Sequence, residues 1–150
     1  MKTVIITKSA DDTENLGFRL GQALKGGEVI ELVNDLGGGK TTFTRGLAKG
    51  VGSQDHVSSP TFTISNIYEA DKLTIHHFDF YRLAEAGLME HELQDVLGQD
   101  DQVVVVEWSD VVAHVLPEDR LTIRFASDGE DQRTCSLEYP DRLKYLVAKL

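Results

Sequence analysis

The 150-residue sequence predicts a three-layer α/β domain with a mixed, largely parallel central sheet. Three stretches carry that prediction. Residues 29–33 are β-branched or apolar apart from Glu31, and they run through a glycine-rich loop into a helix-forming segment. Val103, Val104, Val105 and Val106 are consecutive, which indicates a strand buried on both faces, as in the centre of a parallel sheet. Two β-rich runs, 62–68 and 73–80, flank Glu69-Ala70-Asp71-Lys72 as an antiparallel hairpin, which makes the sheet mixed.

The remaining elements follow in order. Residues 2–6 read as a short strand. Ser9 and Asp12 have the spacing of a capping box, and Leu16, Leu20, Ala23 and Leu24 then form one face of a helix over about 13–24, ended by Gly26-Gly27. Phe43 and Leu47 share a face of the second helix, which runs out at residues 50–52. Pro60 holds Ser59 extended in a rigid hydroxyl-rich turn. A helix interrupted at Gly87 is expected over 83–97, then the valine strand to Trp108 and a short helix or loop over 109–116. Leu121, Ile123 and Phe125 alternate as a strand, residues 127–130 turn, and 133–138 return as another. Leu143, Leu146, Val147 and Leu150 suggest a closing helix. The total is about seven strands and four helices in one domain over 1–150, with no repeat or linker.

The central loop, Asn34-Asp35-Leu36-Gly37-Gly38-Gly39-Lys40-Thr41-Thr42, nearly matches the phosphate-binding pattern G-x-x-x-x-G-K-[ST]. Consecutive glycines let backbone N–H groups curl round an anion. The helix that follows aims its N-terminus at the same place. In this pattern Lys40 reaches the β- and γ-phosphates and the Thr41 hydroxyl ligates Mg²⁺. Asn34 stands where the pattern has its first glycine; Asn is among the side chains that best tolerate a left-handed turn. A P-loop NTPase-like domain is therefore expected, and such a loop needs acidic partners at strand ends. Glu107 closes the valine strand, followed by the aromatic Trp108, and Asp79 closes the second hairpin strand between Phe78 and Phe80; otherwise either one caps the element after it. Ser59 and Thr61 would form a nucleotide-sensing loop or simply a structural turn. Arg82 would neutralise a transferring phosphate or make a surface salt bridge. Trp108 would face a partner or fill a core corner.

Composition narrows the function classes. Hydrophobic content of 41% and charged content of 27% are ordinary for a globular protein. No apolar run is long enough to span a bilayer, and the N-terminus has no signal-peptide pattern. A cytoplasmic location is therefore expected. The single cysteine, Cys135, excludes an internal disulfide and reads as a buried strand residue. His56, His76, His77, His91 and His114 lack metal-ligand spacing, apart from the adjacent His76-His77, which point to opposite strand faces, so no zinc site is expected. A formal net charge of −10 opposes autonomous binding to phosphate backbones. It leaves nucleotide binding intact, because the glycine loop works through local dipoles, and an acidic surface suits a basic protein partner.

Four blocks together resemble one family. Residues 34–46 are similar to its G-D-L-G-A-G-K-T-T-F-x-R-G; Ser59-Pro60-Thr61-Phe62 to its S-P-T-[FY]; His77-Phe78-Asp79-Phe80-Tyr81-Arg82 to its H-F-D-L-Y-R; and Val106-Glu107-Trp108 to its [IV]-E-W. The family is TsaE, also called YjeE, and the likeness spans roughly residues 10–140. The resemblance implies a small ATPase that uses ATP and Mg²⁺. It implies action only with a TsaB–TsaD transferase complex, which places threonylcarbamoyl on the adenosine beside the tRNA anticodon, so tRNA is met only through the complex. By position, Gly37, Gly38, Gly39, Lys40, Thr41 and Thr42 would hold the phosphates, and Thr41 and Glu107 the Mg²⁺. Asp79 would contact the nucleotide or the water shell of the metal, and Thr61 would belong to a switch-like loop. Thr13, in a stretch resembling E-T-x-x-L-G, and Arg133 would border the base. Lys40, Asp79, Glu107 and Thr61 are thus the catalytic candidates.

Rival readings lack their own signatures. A small-molecule kinase usually needs an arginine-rich lid, for which the chain has no insert, and no N-K-x-D guanine-reading motif occurs. A nucleotide-binding regulatory subunit that does not hydrolyse remains the rival of a different class; in it ATP binding alone would drive docking.

Overall fold

The computed structural model describes residues 1–33, 38–60, 63–85 and 87–150. Seven strands form one sheet: β1 (Lys2–Thr7), β2 (Val29–Val33), β3 (Ser65–Glu69), β4 (Thr74–Asp79), β5 (Gln102–Glu107), β6 (Leu121–Ser127) and β7 (Arg133–Glu138), in the order β1-β7-β6-β2-β5-β4-β3. β6, β2, β5 and β4 pair in parallel, and β1, β7 and β3 attach through antiparallel ladders. The expected mixed, largely parallel sheet is therefore present.

Burial explains the three layers. Along β5, Val103 and Val105 enter one core while Val104 and Val106 enter the other. The first core is closed by α1 (Ala10–Ala23) and α2 (Lys40–Val51) through Leu16, Leu20, Phe43 and Leu47. The second lies under α3 (Leu88–Val96) and the 3₁₀ turn Ser109–Val112, and contains Phe78, Phe80, Leu93 and Val112. Cys135 is fully buried; burial pushes its thiol up to about 11, so it stays protonated and unreactive.

α1 and α2 touch backbone to backbone. Gly17 and Gly21 face Gly46 and Gly50, and a Cβ on Gly46 would lie 1.8 Å from the Glu14 carbonyl oxygen. This close approach sets where α2 begins, and hence where Lys40 sits.

Several boundaries differ from expectation. α1 starts at Ala10; its cap is Ser9, whose hydroxyl accepts the Asp12 N–H, but the Asp12 carboxylate reaches back to the Lys8 N–H, not to that of Ser9. The first hairpin strand, expected from 62, runs Ser65–Glu69; residues 63 and 64 turn before it, and Phe62 lies outside the described residues. Among the described residues, the interrupted helix expected over 83–97 is helical over Leu88–Val96, and Gly87 at φ 55° leaves helical space just before it. The closing helix is a 3₁₀ segment, Asp141–Leu146, that still buries Leu143 and Leu146. Among the described residues no helix is long and apolar enough to cross a membrane.

Candidate nucleotide site

The sheet brings three chain segments to one edge. β2 ends at Val33, just before the glycine loop, and the parallel registers set Leu32 opposite Glu107 and Glu107 opposite Asp79. The carboxyl ends of β2, β5 and β4 therefore converge, the usual location of a ligand crevice in an open α/β sheet.

Gly39 is the residue before α2 and lies in the left-handed region at φ 99°, where a side chain is strained. The cap residue of α2 is Gly39, which has no side chain to cap with, and the helix starts at the loop with the positive end of its dipole. Gly38 is buried, and Thr41 and Thr42 are half-buried on the first turn. Gly37 and Asn34, and Thr61 in the second loop, lie outside the described residues.

Lys40 is 6% exposed, unusual for lysine. Its Nζ lies 3.4 Å from Glu107 Oε1 and 5.1 Å from the centre of the Trp108 ring. Glu107 is buried as well, and its second oxygen lies 2.6 Å from His77 Nε2. Burial alone would raise the Glu107 carboxyl; the His77 hydrogen bond, together with the charge and hydrogen bond of Lys40, outweighs it and holds the group below the ordinary 4.5. Asp79 is buried, and its Oδ1 accepts the Tyr81 N–H at 2.9 Å, so it does cap the following turn. Arg82 lies exposed just beyond that turn. Trp108 adopts φ 53°, a costly backbone for a non-glycine residue, and its ring rests on Tyr81 at 4.8 Å. It is partly buried and packs against the second core, so it does fill a core corner, and its ring also walls the Lys40 side of the site.

Thr13 and Arg133 also reach the loop. They line a small cleft with Ala10, Gly39, Thr42 and Asp131. The Thr13 hydroxyl is 2.7 Å from that of Thr7. Arg133 Nε donates to the Gly38 carbonyl at 3.1 Å, and its Nη1 donates to the carbonyls of Glu130 and Gln132, tying the turn between β6 and β7 to the glycine loop.

Two residues of the site were not singled out from sequence. His77 opens the block that resembles H-F-D-L-Y-R but was given no role beyond a rejected zinc ligand; the further signal was strand alternation, which puts it on the same face as Asp79. Glu31 is the second. It is 8% exposed and accepts hydrogen bonds from the Ser109 hydroxyl, from Arg120 Nε at 2.9 Å and from Thr122 Oγ1 at 2.9 Å. It thereby ties the turn after Trp108 to β2, at one wall of a cleft of about 430 Å³ that Trp108, Asp110 and Arg124 also line. Burial raises its carboxyl, and the Ser109, Arg120 and Thr122 hydrogen bonds more than offset this, leaving it below 4.5.

A carboxyl held low in the folded protein stabilises it above its unfolded value, and that contribution vanishes as pH falls through the folded value. Glu31→Gln should therefore cost about 2 kcal/mol in urea unfolding at pH 7. The difference from wild type should shrink as pH drops below 4.5. A gap that stays constant into strong acid would contradict the assignment.

The arrangement matches known proteins. The family model described as "Threonylcarbamoyl adenosine biosynthesis protein TsaE" matches residues 7–135. The tRNA threonylcarbamoyladenosine biosynthesis protein TsaE of Treponema pallidum is 38% identical over 86% of this chain and 96% of its own length. That of Bacillus subtilis is 39% identical over 85% of this chain and 79% of its own. The crystal structure of Bacillus subtilis YdiB superposes with a TM-score of 0.80 at 31% identity, covering 98% of this chain and 92% of that one. A glycine loop, a lysine at a helix start and a glutamate closing a valine strand thus coincide with a match over most of the chain, and the protein belongs to the TsaE family of tRNA threonylcarbamoyladenosine biosynthesis proteins.

Proposed function

We propose that residues 1–150 form a single cytoplasmic ATPase unit that hydrolyses ATP with water to ADP and phosphate while docked on a TsaB–TsaD complex, in support of tRNA threonylcarbamoylation. The observation that carries this reading is the buried contact of Lys40 Nζ with Glu107 at 3.4 Å, at the start of α2 just after Gly39. A buried lysine and carboxylate held at a helix N-terminus are the groups that a nucleotide triphosphate and its metal require.

The donor set suits Mg²⁺. Thr41 and Glu107 offer hard oxygens, and among the described residues no three His, Cys, Asp or Glu side chains converge on a closed metal cage. Mg²⁺ commonly keeps several waters and takes one or two protein oxygens beside the phosphates. Thr41 and Glu107 would hold the ion, which would supply positive charge beside the phosphates. The N–H groups of Gly37, Gly38, Gly39, Lys40, Thr41 and Thr42 would cradle the phosphates. Lys40 would leave Glu107 for the phosphates and stabilise charge as the γ-phosphoryl group moves to water. Asp79 would orient the metal's water shell or the nucleotide, Thr61 would close over the γ-phosphate, and Thr13 and Arg133 would border the base. The net charge of −10 favours meeting tRNA through the complex and not directly.

The single tryptophan makes the test direct, since Lys40 lies against its ring. Titration with Mg²⁺ and ATP should shift Trp108 fluorescence saturably, and Lys40→Ala should remove the shift. No shift, together with no binding by calorimetry, would rule the reading out.

A further inference from the structure

We infer that His77 is a positioning residue for Glu107: its Nε2–H fixes one carboxylate oxygen so that the other faces Lys40 and the glycine loop. This rests on the nucleotide site proposed above. β4 and β5 pair in parallel with Asp79 opposite Glu107, so His77, two residues earlier on the same face, lies beneath the Glu107 side chain. His77 is fully buried, and its Nε2 is 2.6 Å from Oε2, while Lys40 approaches Oε1. The two oxygens thus have different partners with different fates. Lys40 must turn to the phosphates when a nucleotide enters; His77 has nowhere to go.

The ring orientation supports one proton position. His77 Nδ1 is buried with no hydrogen-bond partner among the described residues. A proton there would be an unsatisfied buried donor, whereas a proton on Nε2 is shared with a carboxylate. The neighbour on the other side is the Tyr68 ring at 6.1 Å, and the Tyr68 hydroxyl donates to the Ser58 carbonyl at 3.0 Å, so the imidazole is wedged against a residue that is itself anchored. Such outer partners commonly fix the orientation of a metal-binding carboxylate, and their loss costs about 10- to 100-fold in metal affinity or activity.

Two measurements test this. In the nucleotide-free protein, long-range ¹H–¹⁵N spectra of the histidine rings should show the His77 Nε2 protonated, with a shift that moves in Glu107→Gln; an unprotonated Nε2 would overturn the inference. Next, His77→Leu should weaken the Mg²⁺ dependence of ATP binding about 10- to 100-fold, while ATP affinity without Mg²⁺ holds. His77→Gln, whose amide can donate from a similar place, should restore most of it. Equal behaviour of Leu and Gln variants, both folded by circular dichroism, would reduce His77 to a packing role and defeat the proposal. If wild type fails to bind ATP at all, the nucleotide reading falls, and the ring spectra still decide whether His77 holds Glu107.

Discussion

Lys40→Ala should lower complex-stimulated ATP hydrolysis by about 10²–10³-fold, the usual cost of removing a group that stabilises transition-state charge in a dry site. The reason is specific to this geometry. Lys40 is buried against Glu107 and Trp108, so its ammonium acts where water screens little. Lys40→Arg should not rescue the activity, because a planar guanidinium cannot replace the compact point charge held between Glu107 and the indole ring. Hydrolysis assays of both variants with TsaB and TsaD present would check this; wild-type rates in Lys40→Ala would remove the lysine from the mechanism.

Gly46→Ala should destabilise the protein by about 3 kcal/mol, near the upper end of the cost of overpacking. The added Cβ would lie 1.8 Å from the Glu14 carbonyl oxygen, a distance no rotamer can relieve, so α1 and α2 must separate. For a chain of this size the melting temperature should fall by roughly 10 °C. Because α2 carries Lys40 and Thr41 on its first turn, the variant should also lose nucleotide affinity. Gly52→Asn is the control: Gly52 caps the far end of α2 at φ 93° with no atoms near its Cβ position. Asn is strained there less than other side chains and meets no neighbour, so its melting temperature should fall by clearly less than that of Gly46→Ala. Equal melting of Gly46→Ala and wild type would mean that the helices are not in backbone contact.

Local pattern made the frame legible. The strand before the glycine loop, the helix after it and the four valines each carry a periodicity that a single stretch displays, and all three were found where expected. Lys40, Asp79 and Glu107 were legible for the same reason, since each ends or begins such an element. His77 and Glu31 were not, because their roles depend on which strands are neighbours. β2 lies between β6 and β5, which is what brings Arg120 and Thr122 to Glu31, and only the β4–β5 pairing puts His77 beneath Glu107. The helix–helix glycines were read past as well: each is unremarkable alone, and their meaning appears when Gly17 and Gly21 face Gly46 and Gly50. The helix expected over 83–97 was shortened by a backbone angle at Gly87 that apolar spacing does not report.

The central claim is that Glu107 and Lys40 form a hydrolytic site completed by a partner. Its most direct test is phosphate release from ATP by the purified chain, alone and with TsaB and TsaD, in wild type and Glu107→Ala. The account predicts slow release alone, stimulation by the complex, and loss of that stimulation in the variant. Saturable ATP binding with no phosphate release in any mixture would contradict it and would identify the chain as a nucleotide-driven regulatory subunit.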